Sequence, residues 1–99
     1  MEIKDSYILN NKERFIDELF SLIKIPSISA DSKYASKMHT AAEMVSNLLK
    51  NAGCKKVEIC PTKGYPIVYG EKIINDKLPT VLVYGHYDVQ PPDPIELWD

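Results

Sequence analysis

The chain has 99 residues, of which 44% are apolar and 26% are charged, and its formal net charge is −2. This composition fits one folded domain with a modest core and excludes a low-complexity or fibrous protein. Acidic and basic residues are interleaved without a basic stripe, so we expect no nucleic-acid partner. No apolar stretch approaches the ~18 residues of a membrane span, and residues 1–5 lack the order of a signal peptide. We therefore expect no membrane association and a cytoplasmic location.

Two segments in the first half of the chain have the apolar spacing of amphipathic helices. The first covers residues 10–23, where Asn10 and Glu13 resemble a capping box, and it must end before Pro26, which has no N–H to donate. The second ends before Gly53, a residue that commonly closes helices in a left-handed conformation. Its apolar face consists of Met38, Ala41, Ala42, Val45, Leu48, Leu49 and Ala52. Residues 26–29 are predicted to form an extended connector between the helices.

Short strands are predicted after the second helix. Val57 and Ile59 alternate with polar neighbours at the period of a half-buried strand, and residues 66–69 form a second candidate. Asn75 and Asp76 indicate a turn.

Residues 80–85, Thr-Val-Leu-Val-Tyr-Gly, are a continuous apolar run typical of a strand covered on both faces, so we expect this strand to be central in its sheet. From Gln90 onward, three prolines predict a loop. The order of elements predicts an α/β fold with two helices followed by about three strands and an incomplete sheet.

His86 and Asp88 follow the last predicted strand, at the edge where α/β sheets gather ligands. Residues i and i+2 of an extended segment project to the same side, so both side chains can address one site. A metal-binding imidazole needs an acceptor for its other ring N–H, and Asp88 can provide it. A histidine that is merely hydrogen-bonded at a strand end is the alternative. The Pro-rich loop that follows favours a functional site.

Residues 81–92, Val-Leu-Val-Tyr-Gly-His-Tyr-Asp-Val-Gln-Pro-Pro, resemble the first metal-binding signature of the two-zinc metallopeptidase family. That family includes carnosine-type dipeptidases, aminoacylases, acetylornithine deacetylases and succinyl-diaminopimelate desuccinylases. The resemblance implies that His86 is a zinc ligand and that Asp88 supports it as a catalytic residue. Tyr87 and the Gln-Pro-Pro ending resemble the dipeptidase branch. Residues 22–29, Leu-Ile-Lys-Ile-Pro-Ser-Ile-Ser, are similar to the stretch after the family's first helix.

This resemblance implies that residues 1–99 are the N-terminal segment of a single zinc-peptidase catalytic domain, truncated after the first metal-binding motif. The parent enzyme would use two Zn²⁺ ions, with Mn²⁺ or Co²⁺ as alternatives, to cleave dipeptides or acyl amino acids with metal-activated water. It would pair as a homodimer through an inserted lid domain that is absent here. The bridging aspartate, the general-base glutamate and the other ligands are expected beyond Asp99. Because zinc sites usually have three or four protein ligands, we expect this fragment to bind little or no zinc and to be inactive alone.

A non-catalytic α/β interaction module that retains the His-x-Asp pair is the competing interpretation. Three further features are predicted to have no functional role. His39 and Glu43, four residues apart on the second helix, have the spacing of an ordinary solvated pair. Cys54 and Cys60 match neither a zinc motif nor a disulfide framework and are predicted to be reduced structural thiols. Lys55 and Lys56 follow a helix end, where cations complement the helix dipole.

Overall fold

The first helix, α1, is longer than its apolar pattern predicts. The structure, a computed structural model, describes residues 2–99, and α1 spans Glu2–Ile23. The predicted start at Asn10 was therefore wrong. Asn11 Nδ2 donates to the Tyr7 carbonyl at 2.8 Å, and Arg14 donates to both Asn11 and Glu18. These side-chain hydrogen bonds connect the helical turns before and after Asn10. No residue of α1 is buried.

The second helix, α2, spans Ala35–Asn51 and provides most of the buried residues, as its pattern predicts. Met38, Ala41 and Ala42 are buried, together with Ser46. The other residues of the predicted apolar face are half-buried, except Ala52, which is exposed. Gly53 has a φ of +94°, which confirms the predicted left-handed residue after the helix. A short 3₁₀ turn at Ser32–Tyr34 precedes α2, and the Asp31 side chain caps it by accepting a hydrogen bond from the Lys33 N–H.

Two antiparallel strands form a hairpin that packs on α2. Strand β1 spans Lys56–Cys60 and strand β2 spans Ile67–Glu71, with Val57 opposite Gly70. A Cβ built on Gly70 would lie 2.9 Å from Leu49 Cδ1, which shows how closely α2 approaches β2. The two predicted strands are thus confirmed. The predicted turn is confirmed as well, because the Leu78 N–H donates to the Asn75 carbonyl at 3.1 Å.

The third predicted strand is not part of this sheet. Residues 80–85 have no strand partner among residues 2–99, and the exposed fractions of Val81, Leu82, Val83 and Tyr84 are 83%, 91%, 85% and 90%. The prediction that this strand is central was wrong for the sheet described here. A central strand needs a hydrogen-bonded neighbour on each side, and the hairpin provides neither.

The chain beyond residue 85 pairs instead with the connector between the helices. Ile28 and Val89 form a parallel bridge, and the Val89 N–H donates to the Ser27 carbonyl at 2.9 Å. Ser27 and Ile28 are both buried. The segment after Gln90 is a loop apart from a short 3₁₀ turn at Ile95–Leu97. Neither helix described for residues 2–99 has the length and apolar character needed to cross a membrane.

Candidate functional site

The backbone around His86 is fixed by the connector that follows α1. Ser27 contributes twice: its carbonyl accepts from the Val89 N–H, and its hydroxyl donates to the Tyr87 carbonyl at 2.9 Å. Ser27 is completely buried and its partners Tyr87 and Val89 are half-buried, so these hydrogen bonds are largely shielded from water. The connector thus sets the path of residues 87–89.

Tyr87 ties the same segment to the hairpin. Its hydroxyl donates to the Pro66 carbonyl at 2.5 Å, just before β2 begins. Partial burial, with a smaller contribution from the Asp88 charge, raises the pKa of the Tyr87 phenol above its ordinary value. The phenol therefore stays protonated at neutral pH and remains a hydrogen-bond donor.

Asp88 accepts hydrogen bonds on both carboxylate oxygens. His86 Nδ1 lies 2.8 Å from Oδ1, and Ser29 Oγ donates to Oδ2 at 2.5 Å. The Ser29 hydrogen bond is the largest cause of a lowered Asp88 pKa, partial burial opposes it, and the His86 contacts add to the lowering. Asp88 is therefore ionised at neutral pH.

The ionised carboxylate determines which nitrogen of His86 carries the proton. A carboxylate only accepts hydrogen bonds, so Nδ1 must be the protonated nitrogen when the ring is neutral. The Asp88 carbonyl, 3.2 Å from Nδ1, favours the same tautomer. Nε2 makes no hydrogen bond within residues 2–99 and keeps its lone pair, and the side chain is 76% exposed. This is the state in which imidazole binds a metal ion.

The site fits one ligand of a metal centre and does not form a complete one. Across residues 2–99, no three His, Cys, Asp or Glu side chains converge in a way that could hold a metal ion. His86 provides a nitrogen, while both carboxylate oxygens of Asp88 are already hydrogen-bonded. Further ligands would have to come from other polypeptide.

The other candidate residues lie away from this site. His39 and Glu43 are exposed on α2 and form no ion pair in the described part of the chain, in keeping with the predicted solvated pair. Cys54 and Cys60 are free thiols, as predicted. Of the candidate residues predicted from the sequence, the structure therefore brings together only His86 and Asp88.

Two serines of the site were not predicted to have a role. Ser27 and Ser29 lie in the connector, 60 and 59 residues from the groups they contact. No local pattern indicates a pairing over that distance. The only available signal was the resemblance of residues 22–29 to the stretch after the first helix of the two-zinc metallopeptidases, and it assigned no contact to either hydroxyl.

The chain is similar to known metallodipeptidases in sequence and in structure. No protein-family model matches it. It is 32% identical over 100 residues to the Cys-Gly metallodipeptidase DUG1 of Saccharomyces cerevisiae, covering 89% of this chain and 21% of the relative. It is 35% identical over 92 residues to the Cys-Gly metallodipeptidase DUG1 of Candida albicans, covering 81% of this chain and 19% of the relative. The chain thus spans about a fifth of the length of these curated relatives.

The fold agrees with the sequence comparison. A solved structure of the dipeptidase Dug1p from Saccharomyces cerevisiae superposes with a TM-score of 0.82 and 30% sequence identity, covering 93% of this chain and 22% of that one. This likeness confirms the α/β assignment, as a partial domain of two helices and an open antiparallel sheet. The relatives support the dipeptidase branch of the resemblance and not its aminoacylase members. In both sequence and fold, the chain is therefore similar to one segment of the metallodipeptidases.

Proposed function

We propose that this chain is part of a metal-dependent dipeptidase and that His86 binds a metal ion in its active site. The observation that carries the proposal is the 2.8 Å contact between His86 Nδ1 and Asp88 Oδ1, because it leaves Nε2 unprotonated and accessible. The similar proteins support the same reading, since they are named as Cys-Gly metallodipeptidases.

Zn²⁺ is the metal we propose, because a neutral imidazole is a common zinc ligand, and Mn²⁺ or Co²⁺ are the alternatives. When bound, such a metal lowers the pKa of a water molecule and polarises the carbonyl of an amide bond. His86 would contribute the nitrogen ligand. Asp88 would hold the imidazole in the tautomer that exposes Nε2 and would increase the basicity of that nitrogen.

The proposed substrate is a dipeptide, and the proposed reaction is hydrolysis of its amide bond by metal-activated water. We propose that residues 1–99 form one segment of the catalytic domain, and that other polypeptide supplies the bridging carboxylate, the general base and the remaining ligands. The segment alone would bind little metal and would be inactive. We also propose that the protein is cytoplasmic and that the complete enzyme is a homodimer.

The test uses a longer polypeptide from the same reading frame, with bound zinc and the hydrolysis of Cys-Gly as the two measurements. We expect His86→Ala to lower both zinc content and rate, because one ligand is lost. We expect Asp88→Ala to lower metal affinity by about 10- to 100-fold, the effect typical of a group that orients a ligand.

His39→Ala is the matched control, because it removes the other histidine, which is exposed on α2. It should leave zinc content and rate unchanged. Equal zinc content and rate in His86→Ala and the parent would contradict the site assignment. A longer polypeptide that folds but neither binds zinc nor hydrolyses dipeptides would favour the non-catalytic interaction module.

A further inference from the structure

We propose that Ser29 is a positioning residue, whose hydroxyl fixes the Asp88 carboxylate so that His86 keeps its proton on Nδ1 and presents Nε2. The use of Nε2 as a metal ligand rests on the proposed function. The positioning itself concerns three side chains of this chain and can be tested without metal.

The Asp88 carboxylate has two hydrogen-bond partners on opposite oxygens. Ser29 Oγ is 2.5 Å from Oδ2, and His86 Nδ1 is 2.8 Å from Oδ1. Rotation of the carboxylate would break both contacts together. Without the serine, only the exposed imidazole would remain, and Asp88, whose side chain is 38% exposed, could turn toward water.

Ser29 and Ser27, both in the connector, form hydrogen bonds to different kinds of group. Ser27 holds the backbone of the opposite segment, because its hydroxyl and carbonyl contact the Tyr87 carbonyl and the Val89 N–H. The hydroxyl of Ser29 contacts a side chain. Between them, Ile28 is buried and bridges to Val89, so the backbone pairing does not depend on the Ser29 hydroxyl.

The tautomer of His86 depends on this carboxylate because nothing else in residues 2–99 engages the ring. The only partners of the imidazole are Asp88 Oδ1 and the Asp88 carbonyl, both at Nδ1. A solvated neutral histidine favours the proton on Nε2, the tautomer that cannot bind a metal through that nitrogen. The fixed carboxylate reverses that preference.

The experiment records ¹⁵N NMR spectra of the His86 ring in the metal-free chain, at a pH where the imidazole is neutral. In the unsubstituted chain, we expect the Nδ1–H tautomer to predominate. In Ser29→Ala, we expect the Nε2–H tautomer to become the major form. Ser29→Thr, which retains a hydroxyl, should restore the parental spectrum. Ser21→Ala is the matched control, since its hydroxyl contacts only the Asp17 carbonyl on exposed α1.

The amide signals of Ile28 and Val89 report whether the connector pairing is intact in each variant. If Ser29→Ala loses that pairing, Ser29→Val replaces it, because valine has the shape of threonine but carries no hydrogen-bond donor. The parental tautomer in either variant, with pairing intact, would overturn the proposal. A change of tautomer with unaltered zinc content in His86→Ala of the longer polypeptide would instead uphold the positioning role and defeat the proposed function.

Discussion

Ser29 donates a 2.5 Å hydrogen bond to Asp88 across 59 residues of sequence, and this contact is the main reason that the pKa of Asp88 is lowered. We therefore expect Ser29→Ala to raise the pKa of Asp88 toward its ordinary value of 3.8. The carboxyl ¹³C shift of Asp88, followed through an acid titration, measures the change. An identical titration in Ser29→Ala would contradict the expected role of the hydroxyl, and Ser21→Ala again serves as the control.

The same shift makes stability depend on pH in a defined direction. The folded pKa of Asp88 lies below its unfolded pKa. The contribution of this carboxylate to the free energy of unfolding is therefore complete above about pH 4 and disappears as the pH falls through the folded pKa. The side chain is 38% exposed, so solvent screening limits the contribution to less than about 1 kcal/mol. Urea unfolding of the unsubstituted chain should therefore show a lower free energy of unfolding at about pH 3 than at pH 6. This difference should be smaller in Ser29→Ala.

Tyr87→Phe is expected to destabilise the chain by about 1 to 3 kcal/mol, because it leaves the carbonyl of buried Pro66 without its donor. Urea unfolding measures the loss as a lower midpoint with the same slope. Tyr84→Phe is the matched control, since Tyr84 is 90% exposed and should tolerate the same change. Equal midpoints for the two variants would show that the Tyr87 hydroxyl contributes nothing to stability.

Gly70→Val is expected to destabilise the chain by about 1 to 3 kcal/mol through overpacking. The new Cβ would approach Leu49 Cδ1 to 2.9 Å and Leu49 Cβ to 3.5 Å, so α2 and β2 would have to separate or Leu49 change rotamer. Gly85→Val is the control, because no atom lies within 4 Å of the position of its Cβ. Both changes restrict the unfolded chain alike, so the difference between their unfolding free energies measures the crowding against Leu49 and against Cys54, whose Sγ would lie 3.5 Å from the new Cβ.

Elements with local signals were predicted well from the sequence. Three residues of the predicted apolar face of α2, Met38, Ala41 and Ala42, are buried in the structure, and Gly53 adopts the left-handed conformation after the helix. Both strands of the hairpin were predicted, the first from the alternation of Val57 and Ile59 with polar neighbours. Asn10 misled the prediction of α1, because an asparagine with a glutamate three residues later fits a helix start, whereas contacts between Tyr7, Asn11 and Arg14 continue the helix through it.

Features that depend on distant parts of the chain were predicted in part or not at all. The contact between His86 and Asp88 spans two residues and followed from their spacing. Its support by Ser29 required a pairing between residues 28 and 89, which no local pattern contains. Residues 80–85 have the composition of a buried strand, but burial requires neighbouring strands that the hairpin does not offer.

The hydrogen bond from Tyr87 to Pro66 has an entropic consequence for how the site forms. Bringing Tyr87 to Ser27 directly closes a loop of 60 residues, whereas reaching Pro66 closes one of 21. If the hairpin already lies on α2, the shorter closure costs about 0.9 kcal/mol less in chain entropy. The surroundings of His86 would then order after the hairpin and open before it, so a change in β2 would alter the population of the ordered site without touching the imidazole.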